Sequence, residues 1–349
     1  MTRLLRRLAL LLALIPFLLA SAAVAASDAP GPARSAPAAG AADGHATAAP
    51  VIYKLGAYVV TVHDLDPPSG TFQAQFWLWR VGPPNSRTIV DSLDFPNANQ
   101  VAFGPEQVTV ENGVEWRQVL VRGRFRHDWR VKNYPFDRQR LQIVIEDQLA
   151  TASQLDYVGD GLSAADYMRK GVGGWKLDGT RLVTGVTRYP TAFGDPSLAA
   201  SAGAQFSRVV LELSISRRGY ARFFTLTVTI YTAFMLCMVS FLLHIDQAGL
   251  IGSRFSLLAA SLFAVVLNMR AADSELGAET DLSLVDHLHV VCLAYIIAAT
   301  AIGVVSKLAI DRGAAHHFFR RLDYWCCVLG ALSFLLITTA LVMRARING

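Results

Sequence analysis

The chain has 349 residues, enough for one soluble domain and one membrane domain. Hydrophobic residues make up 53% of it, a share too high for an ordinary soluble protein, and this predicts membrane-spanning segments. The formal net charge is only +5, and the Lys and Arg residues are scattered or lie beside apolar runs, so nucleic-acid binding is not expected.

The first 25 residues are typical of an export signal, which we predict is removed. An arginine-rich start precedes an apolar run from Leu8 to Ala20, and Ala23-Val24-Ala25 has the small residues of a cleavage site. A retained anchor helix is the alternative. Residues 26–50 are rich in Ala, Pro and Gly and predict a disordered linker. The domain that follows would then lie on the exported side of a membrane.

Residues 51–217 consist of short runs that alternate polar and apolar residues, separated by turn signals such as Asp66-Pro67-Pro68-Ser69-Gly70. The runs are rich in Val, Ile, Thr, Phe and Trp, and they include Lys54–His63, Thr71–Val81, Glu115–Phe125, Arg138–Ile145, Lys176–Thr187 and Ser207–Ser216. This pattern predicts an antiparallel β-sandwich, immunoglobulin-like and with about ten strands.

Residues 218–349 contain apolar stretches that predict a four-helix transmembrane bundle, at about 223–243, 255–271, 286–308 and 323–343. An even number of spans returns the C-terminus to the exported side, and the loop between the third and fourth spans then faces the cytoplasm. That loop is basic, as cytoplasmic loops tend to be: Lys307, Arg312, Arg320 and Arg321. All four cysteines lie in these stretches, so no disulfide is expected in the exported domain.

The second stretch differs from the other three because polar residues recur along it. Steps of four and three residues place one set of side chains on a single helical face: Ser256, Ala260, Phe263, Leu267 and Arg270. Repeated around a shared axis, this face would line a water-filled path with an apolar constriction that gates by dewetting. The alternative is an ordinary bundle helix whose small and polar residues pack against neighbouring helices.

Charged residues follow the second stretch at its outer end. Asp273 and Glu275 would form an acidic vestibule that concentrates cations, whereas a ring of Arg270 side chains would repel them. Inorganic ions are therefore the expected permeant species. We predict a preference for cations, with anion selectivity as the alternative.

Several motifs resemble those of one channel family. Tyr134-Pro135-Phe136-Asp137 matches the signature at the base of the outer domain of pentameric ligand-gated ion channels, the Cys-loop receptor superfamily. Arg254, Leu276 and Asp286 match the basic residue that opens the second span, the Leu after that span and the Asp that begins the third. The resemblance runs from Ile52 to Leu341 and is that of a bacterial member, because the disulfide cysteines are absent.

Three features depart from the family pattern. Gly277 stands where a Pro is expected, no Pro lies near Thr229, and the Trp-x-Asp that often ends the second outer strand is missing. These departures concern the details of gating. The resemblance implies a homopentamer in the bacterial inner membrane, multi-pass, with its N-terminal domain in the periplasm or outside the cell.

The resemblance also implies that a small-molecule agonist binds between neighbouring subunits, inside a cluster of aromatic side chains. Such a cluster favours amines, because ring faces attract cations. By position, Tyr189 and Phe206 flank the corresponding loop, residues 190–205, and Glu146 would add an acceptor for an ammonium group. The expected ligand-binding residues are Tyr189, Phe206, Glu146, Gln148, Phe95 and Asn97.

Coupling between the ligand and the pore is expected at the base of the outer domain. The resemblance implies a path from the Asp64–Pro68 turn and the Tyr134–Asp137 segment to residues 272–285. Asp137 is the expected charge partner of Arg217 or Arg218. The expected coupling residues are Asp64, Asp66, Tyr134, Pro135, Phe136, Asp137, Arg217 and Arg218.

Two alternatives stay open within the same fold. One is a sensor that binds a ligand without conducting ions, and the other is gating by protons through His63, His127 or His287. A membrane enzyme is not expected, because the sequence has no nucleophile elbow, zinc motif or Gly-rich phosphate loop. We therefore expect neither a cofactor nor a metal.

Overall fold

The computed structural model describes residues 49–171, 173–194, 203–243, 248–277 and 282–349. The predicted export signal and residues 26–48 of the predicted linker lie outside these ranges. The chain divides into two compact units. The sheet unit comprises the described residues up to Arg130 together with Arg138–Arg218, and the helical unit comprises Val131–Asp137 and Gly219–Gly349.

The described residues of the sheet unit form ten strands: β1 (Val51–Asp66), β2 (Thr71–Gly82), β3 (Leu93–Asp94), β4 (Ala98–Phe103), β5 (Gln107–Glu111), β6 (Val114–Arg126), β7 (Arg138–Asp147), β8 (Leu155–Ala164), β9 (Trp175–Arg188) and β10 (Gln205–Arg217). One sheet has the order β4-β6-β2-β1-β8, with β5 also paired to β6. The other has the order β3-β7-β10-β9. Two short helices, α1 (Ile89–Ser92) and α2 (Asp166–Lys170), lie between strands.

Period-two alternation gives each sheet one buried face. On β2, Phe72, Ala74, Phe76 and Leu78 are buried, whereas the residues that alternate with them are partly exposed. On β10, Leu211 and Leu213 are buried in the same way. Each of these Phe and Leu side chains contributes roughly 1.5–3 kcal/mol when it leaves water. The predicted two-sheet, β-rich N-terminal unit is confirmed.

One strand pair departs from the predicted antiparallel arrangement. β8 runs parallel to β1, with Val51 opposite Leu155 and Val59 opposite Ala164. The segment that forms β8 contains Gly159 and Gly161 and lacks a regular alternation, so its residue pattern does not predict a strand. Pairing with β1 along the whole length of β8 supplies the hydrogen bonds of a strand that the composition of β8 does not favour.

The helical unit contains four long helices: α3 (Ala221–Ser240), α4 (Ala248–Leu276), α5 (Leu284–Asp311) and α6 (His316–Asn348). All four are long and apolar enough to cross a membrane, which confirms the four predicted spans and makes this a multi-pass membrane protein. α4 and α6 extend beyond the predicted apolar stretches, because polar residues at their ends continue the helical hydrogen bonding. At the start of α5, Ser283 and Asp286 form a capping box.

α5 is the most buried of the four helices. Its Tyr295 ring stands edge-on to Phe234 of α3 and Phe334 of α6, with centroids 5.5 and 5.6 Å away. Phe234 and Phe334 stack on each other at 3.7 Å. These contacts place α5 at the centre of the unit and leave parts of α4 and α6 exposed.

A polar cluster in the sheet unit holds the buried carboxylate of Glu115. It accepts hydrogen bonds from Nε of Arg117 at 2.5 Å, from the backbone N–H of Asn85 at 3.0 Å and from the hydroxyl of Ser86. Arg117 also donates to Glu106 at 3.0 Å. The hydrogen bond from Arg117, together with those from Ser86 and Asn85, lowers the pKa of Glu115 from 4.5 to about 2.

Glu115→Gln should destabilise the sheet unit at pH 7 by about 1–3 kcal/mol, because it removes a charged hydrogen-bond acceptor from a buried cluster. The folded pKa lies below the unfolded one, so the stabilisation by the carboxylate is complete above about pH 4.5 and is lost as the pH falls toward 2. Thermal melting of the detergent-solubilised chain should show that the stability deficit of Glu115→Gln becomes smaller as the pH falls from 7 to 3. Glu111→Gln, at an exposed position on β5, is the control; a deficit of Glu115→Gln that does not change with pH would contradict the assignment.

Candidate functional site

The residues predicted to share one face of the second span all lie on one exposed side of α4. Ser256, Ala260 and Arg270 are exposed, and Phe263 and Leu267 are 68% and 67% exposed. Every exposed residue from 249 to 260 is Gly, Ser or Ala. The exposed residues from 262 to 267 are large and apolar. The face therefore changes from small, to bulky and apolar, to charged along the helix.

Polar contacts inside the helical unit anchor the opposite side of α4. The side-chain amide of Asn268 donates to the carbonyl oxygen of Leu226 on α3 at 2.6 Å and lies 3.0 Å from Nε2 of His289 on α5. Near the other end of the helix, Arg254 makes two hydrogen bonds to the carboxylate of Asp323 on α6, at 2.9 and 3.0 Å. These contacts fix the rotation of α4, so the face with Phe263 stays outside the bundle.

The exposed face of α6 has a different composition. From Tyr324 to Met343 its large exposed side chains are apolar or aromatic: Tyr324, Trp325, Leu329, Leu332, Leu335, Leu336 and Met343. Such a surface is typical of contact with lipid and its interfaces. Small residues and charges are poor partners for lipid, so the face of α4 is better suited to water or to another protein surface.

Two of the three charges at the Leu276 end of α4 lie on the exposed face. Arg270 and Asp273 are exposed and about one turn apart. Glu275 instead pairs with Arg222 of α3, with Nε–Oε2 and Nη2–Oε1 distances of 3.0 and 2.5 Å. Because Arg222 already neutralises Glu275 in part, Asp273 is the main acidic group of the predicted vestibule.

In the sheet unit, three aromatic side chains form a cluster at the ends of β9 and β10. Tyr189, Phe193 and Phe206 pack edge-to-face, with ring centroids 5.4 to 6.2 Å apart. Phe193 is 63% exposed, and its φ of 52° is a strained conformation for a bulky residue. Phe193 was not predicted, because a single Phe in a loop produces no periodic signal. Residues 195–202 of the predicted ligand loop lie outside the described ranges.

Glu146 lies beneath this cluster and is 4% exposed. Its carboxylate accepts a hydrogen bond from the hydroxyl of Tyr189 at 2.9 Å and another from Nε of Arg208. Burial, and then the bond to Glu146, raises the pKa of Tyr189, so the phenol stays protonated. Arg208 was not predicted. Its guanidinium partly neutralises the Glu146 carboxylate, which was expected to attract an ammonium group.

The other three predicted ligand-binding residues make contacts within the fold. Phe95 is 5% exposed and packs among the phenylalanines of the core. Asn97 makes two side-chain hydrogen bonds with the backbone of β7, at 2.7 and 3.0 Å. Gln148 donates to the carbonyl oxygen of Leu93 at 3.0 Å. Of the three, only Gln148 is exposed.

Asp64 and Asp66, predicted to take part in coupling, shape the β1–β2 turn. Asp64 has a φ of 48° and accepts a hydrogen bond from the side chain of Gln73 at 2.9 Å. Asp66 accepts from the backbone N–H of Ser69 at 3.2 Å. Both carboxylates therefore make hydrogen bonds within the β1–β2 hairpin, and their part in coupling stays a prediction.

The predicted coupling arginines lie at the end of the sheet unit. The guanidinium of Arg217 lies 4.2 Å from the centre of the Trp175 ring. Arg218 donates to the carbonyl oxygen of Lys170, at the end of α2. The pairing of Asp137 with either arginine stays a prediction.

The segment Tyr134-Pro135-Phe136-Asp137 belongs to the helical unit, and its residues are buried except for the half-buried Phe136. The Tyr134 ring lies 6.2 Å from that of Phe223, and the Phe136 ring lies 5.6 Å from that of Tyr220. The carbonyl oxygen of Lys132 accepts a hydrogen bond from the first residue of α5 at 3.0 Å. The segment therefore packs on the beginnings of α3 and α5.

A scan against protein-family models finds no match to the chain, and a search of curated proteins finds none either. Among the described residues, no group of three or more His, Cys, Asp or Glu side chains is arranged to hold a metal ion. The functional interpretation therefore depends on the residues themselves and on their geometry.

Proposed function

We propose that the chain is one subunit of a homopentameric ligand-gated ion channel of a bacterial inner membrane. The sheet unit lies in the periplasm and binds a small-molecule agonist at the subunit interface. The four helices cross the bilayer, and α4 lines the pore. The Tyr134-Pro135-Phe136-Asp137 motif and the order of Arg254, Leu276 and Asp286 support this family.

The main observation in favour of a pore lined by α4 is the composition of its exposed face. Gly, Ser and Ala occupy its first part, large apolar residues its middle, and Arg270 and Asp273 its end. Five copies around one axis would form a wide polar mouth, an apolar constriction and a charged mouth. A helix facing lipid would keep large apolar residues along its membrane-spanning part, as α6 does from Tyr324 to Met343.

Phe263 and Leu267 would form the gate. They are the two most exposed apolar side chains of α4. Rings of bulky apolar side chains exclude water from a narrow pore without closing it sterically. Agonist binding would shift the population toward a state in which these rings are wider and the pore is wet.

The aromatic cluster supports an amine as the agonist. The exposed ring of Phe193, beside Tyr189 and Phe206, offers a face to a cation. Since Arg208 already binds Glu146, the ammonium group would depend more on the rings than on that carboxylate. The strained backbone of Phe193 is the kind of feature that clusters at ligand sites.

Phe193→Ala should weaken the apparent affinity for an activating amine by about three- to thirtyfold, because it removes one cation–π face. Dose–response curves measured in lipid bilayers test this. Val110→Ala, at a similarly exposed apolar position of the sheet unit, is the matched control and should leave the curve unchanged. Equal dose–response curves for wild type and Phe193→Ala would exclude the aromatic cluster as the agonist site.

Coupling would run from the sheet unit to the pore helix through the Val131–Asp137 segment. Its ring contacts at the start of α3 and its hydrogen bond to α5 support this path. A movement of the segment would act on the residues that join α4 to α5. The Asp64–Pro68 turn is the second element that we propose takes part in coupling.

Recording from the purified chain in planar bilayers tests the proposed function. Primary amines, amino acids and a change to acidic pH are applied in turn to the same membranes. Ligand-dependent single-channel currents support the channel. Binding of a ligand without current at any voltage would favour the non-conducting sensor, and current that follows pH alone would favour proton gating.

A second candidate is an anion-selective channel of the same fold. Arg270 lies on the exposed face of α4, and Glu275 is engaged by Arg222. A pentamer would then have one ring of Arg270 side chains and one ring of Asp273 side chains at this end of the pore. This balance makes selectivity depend on which ring lies in the narrower part of the pore.

Arg270→Gln should increase the permeability of K⁺ relative to Cl⁻, because it removes the only basic ring on the described part of the exposed face. The reversal potential in a KCl gradient measures this ratio, and it should move toward the K⁺ equilibrium potential. Arg222→Gln removes a positive charge beside the exposed face of α4 and should shift the reversal potential less. A reversal potential unaffected by Arg270→Gln would show that this side chain does not face the ions.

A further inference from the structure

A cavity of about 330 Å³ lies in the sheet unit, within the size range of small-molecule sites. Its polar lining comes from Tyr53, Arg80, Arg87, Ser92, Asp147 and Gln154. Asp147 follows Glu146 on β7, and successive side chains of a strand point to opposite faces. The cavity is therefore separate from the aromatic cluster, which lies beside Glu146.

Two buried charges of opposite sign line this cavity. Arg80 is 3% exposed and Asp147 is 4% exposed. Among the ion pairs of the described residues, none within 4.0 Å joins these two side chains. A buried charge without an ionic partner is costly, and such charges are normally paired.

Neutral groups hold each charge in place. Arg80 donates to the hydroxyl of Ser92 at 2.8 Å, and its guanidinium lies 4.8 Å from the centre of the Tyr53 ring. Asp147 accepts two backbone N–H groups through one oxygen and the hydroxyl of Tyr157, at 3.0 Å, through the other. Arg80 also donates to the hydroxyl of Ser86 at 2.8 Å and to the carbonyl oxygen of Arg87, so its hydrogen bonds, like those of Asp147, go to neutral groups.

Both buried charges influence the pKa of Tyr157. Burial, and then the nearby Asp147 carboxylate, raises the pKa of Tyr157 well above its usual range, while Arg80 acts in the opposite direction. The phenol therefore remains a hydrogen-bond donor to Asp147. The oxygen that accepts from Tyr157 has one protein donor in the described residues, so it can accept a further hydrogen bond from a ligand.

We propose that this cavity binds a free α-amino acid with a small aliphatic side chain. The carboxylate of the ligand would bind Arg80 and Arg87, and its ammonium group would bind Asp147. Val51, Ala150 and Leu155 complete the lining and would contact the aliphatic side chain. The exposed positions of Arg87 and Gln154 leave a route from solvent. The site does not require the pore proposed above.

Isothermal titration calorimetry of the purified full chain in detergent tests the site, with L-valine as the probe. We expect saturable binding with one site per chain. Isobutylamine lacks the carboxylate and isovalerate lacks the ammonium group, so each should bind at least about tenfold more weakly. Absence of saturable L-valine binding, or equally tight binding of either analogue, would overturn the proposal.

Asp147→Asn and Arg87→Gln should each weaken L-valine binding at least about tenfold. Tyr189→Phe, in the aromatic cluster, should leave it unchanged, which separates this site from the proposed agonist site. If Asp147→Asn does not fold, as judged by its far-UV circular dichroism, the exposed Arg87→Gln decides the test. Unchanged binding in folded Arg87→Gln would contradict the assignment. Because binding is read without current, the result does not depend on whether the chain conducts.

Discussion

Phe263→Ser should raise the current in the absence of agonist at least about tenfold. Phe263 is 68% exposed on the face of α4, at the apolar middle between small residues and charges. Five hydroxyl groups in place of five phenyl rings would lower the free energy of a wet constriction, and about 1.4 kcal/mol suffices for a tenfold change in the closed–open equilibrium. Planar-bilayer recording without ligand measures this current directly.

Leu336→Ser is the matched control for this experiment. Leu336 is 70% exposed and lies on α6, whose exposed residues are suited to lipid. Its substitution should leave the current without agonist at the wild-type level. An equal leak in both variants would indicate a damaged bundle, and an unchanged current in Phe263→Ser would exclude this residue as the constriction.

Asp323→Leu should destabilise the helical unit by about 3–5 kcal/mol. Arg254 is fully buried, and Asp323 holds it through two hydrogen bonds of 2.9 and 3.0 Å. Loss of the carboxylate leaves a buried guanidinium without its ionic partner, which is a severe penalty. The melting temperature of the detergent-solubilised chain should fall accordingly.

The double variant Arg254→Met with Asp323→Leu should recover most of that loss, because apolar residues of similar size often replace a buried ion pair at little cost. The exposed Lys307–Asp311 pair is the matched control, and Asp311→Ala should change stability by no more than about 0.5 kcal/mol. A double variant as unstable as Asp323→Leu alone would show that the pair does more than neutralise charge.

The regular elements were predictable because their residue patterns are periodic. Alternation predicts strands such as β2 and β10, and long apolar runs predict the four helices, since a single span needs about 20 apolar residues. β8 was not predictable, because its glycines interrupt the alternation and its parallel pairing with β1 depends on a partner far along the chain. The ends of α4 and α6 were missed because helices continue through polar residues.

The residues of the candidate site could be predicted where they all lie on one helix. The exposed face of α4 follows from helical spacing alone, so Ser256, Phe263 and Arg270 could be grouped from the sequence. Partners from distant segments could not: Asp323 lies 69 residues from Arg254, and Arg208 lies 62 residues from Glu146. These pairings depend on how the helices and strands pack, which no local pattern encodes.

In the proposed channel, five chains share one axis lined by α4. The native mass of the detergent-solubilised complex tests this arrangement without any knowledge of the agonist. We expect a mass of five subunits, stable in several mild detergents. A stable monomer or dimer in all of them would leave the exposed face of α4 without a shared axis and would contradict the proposed pore.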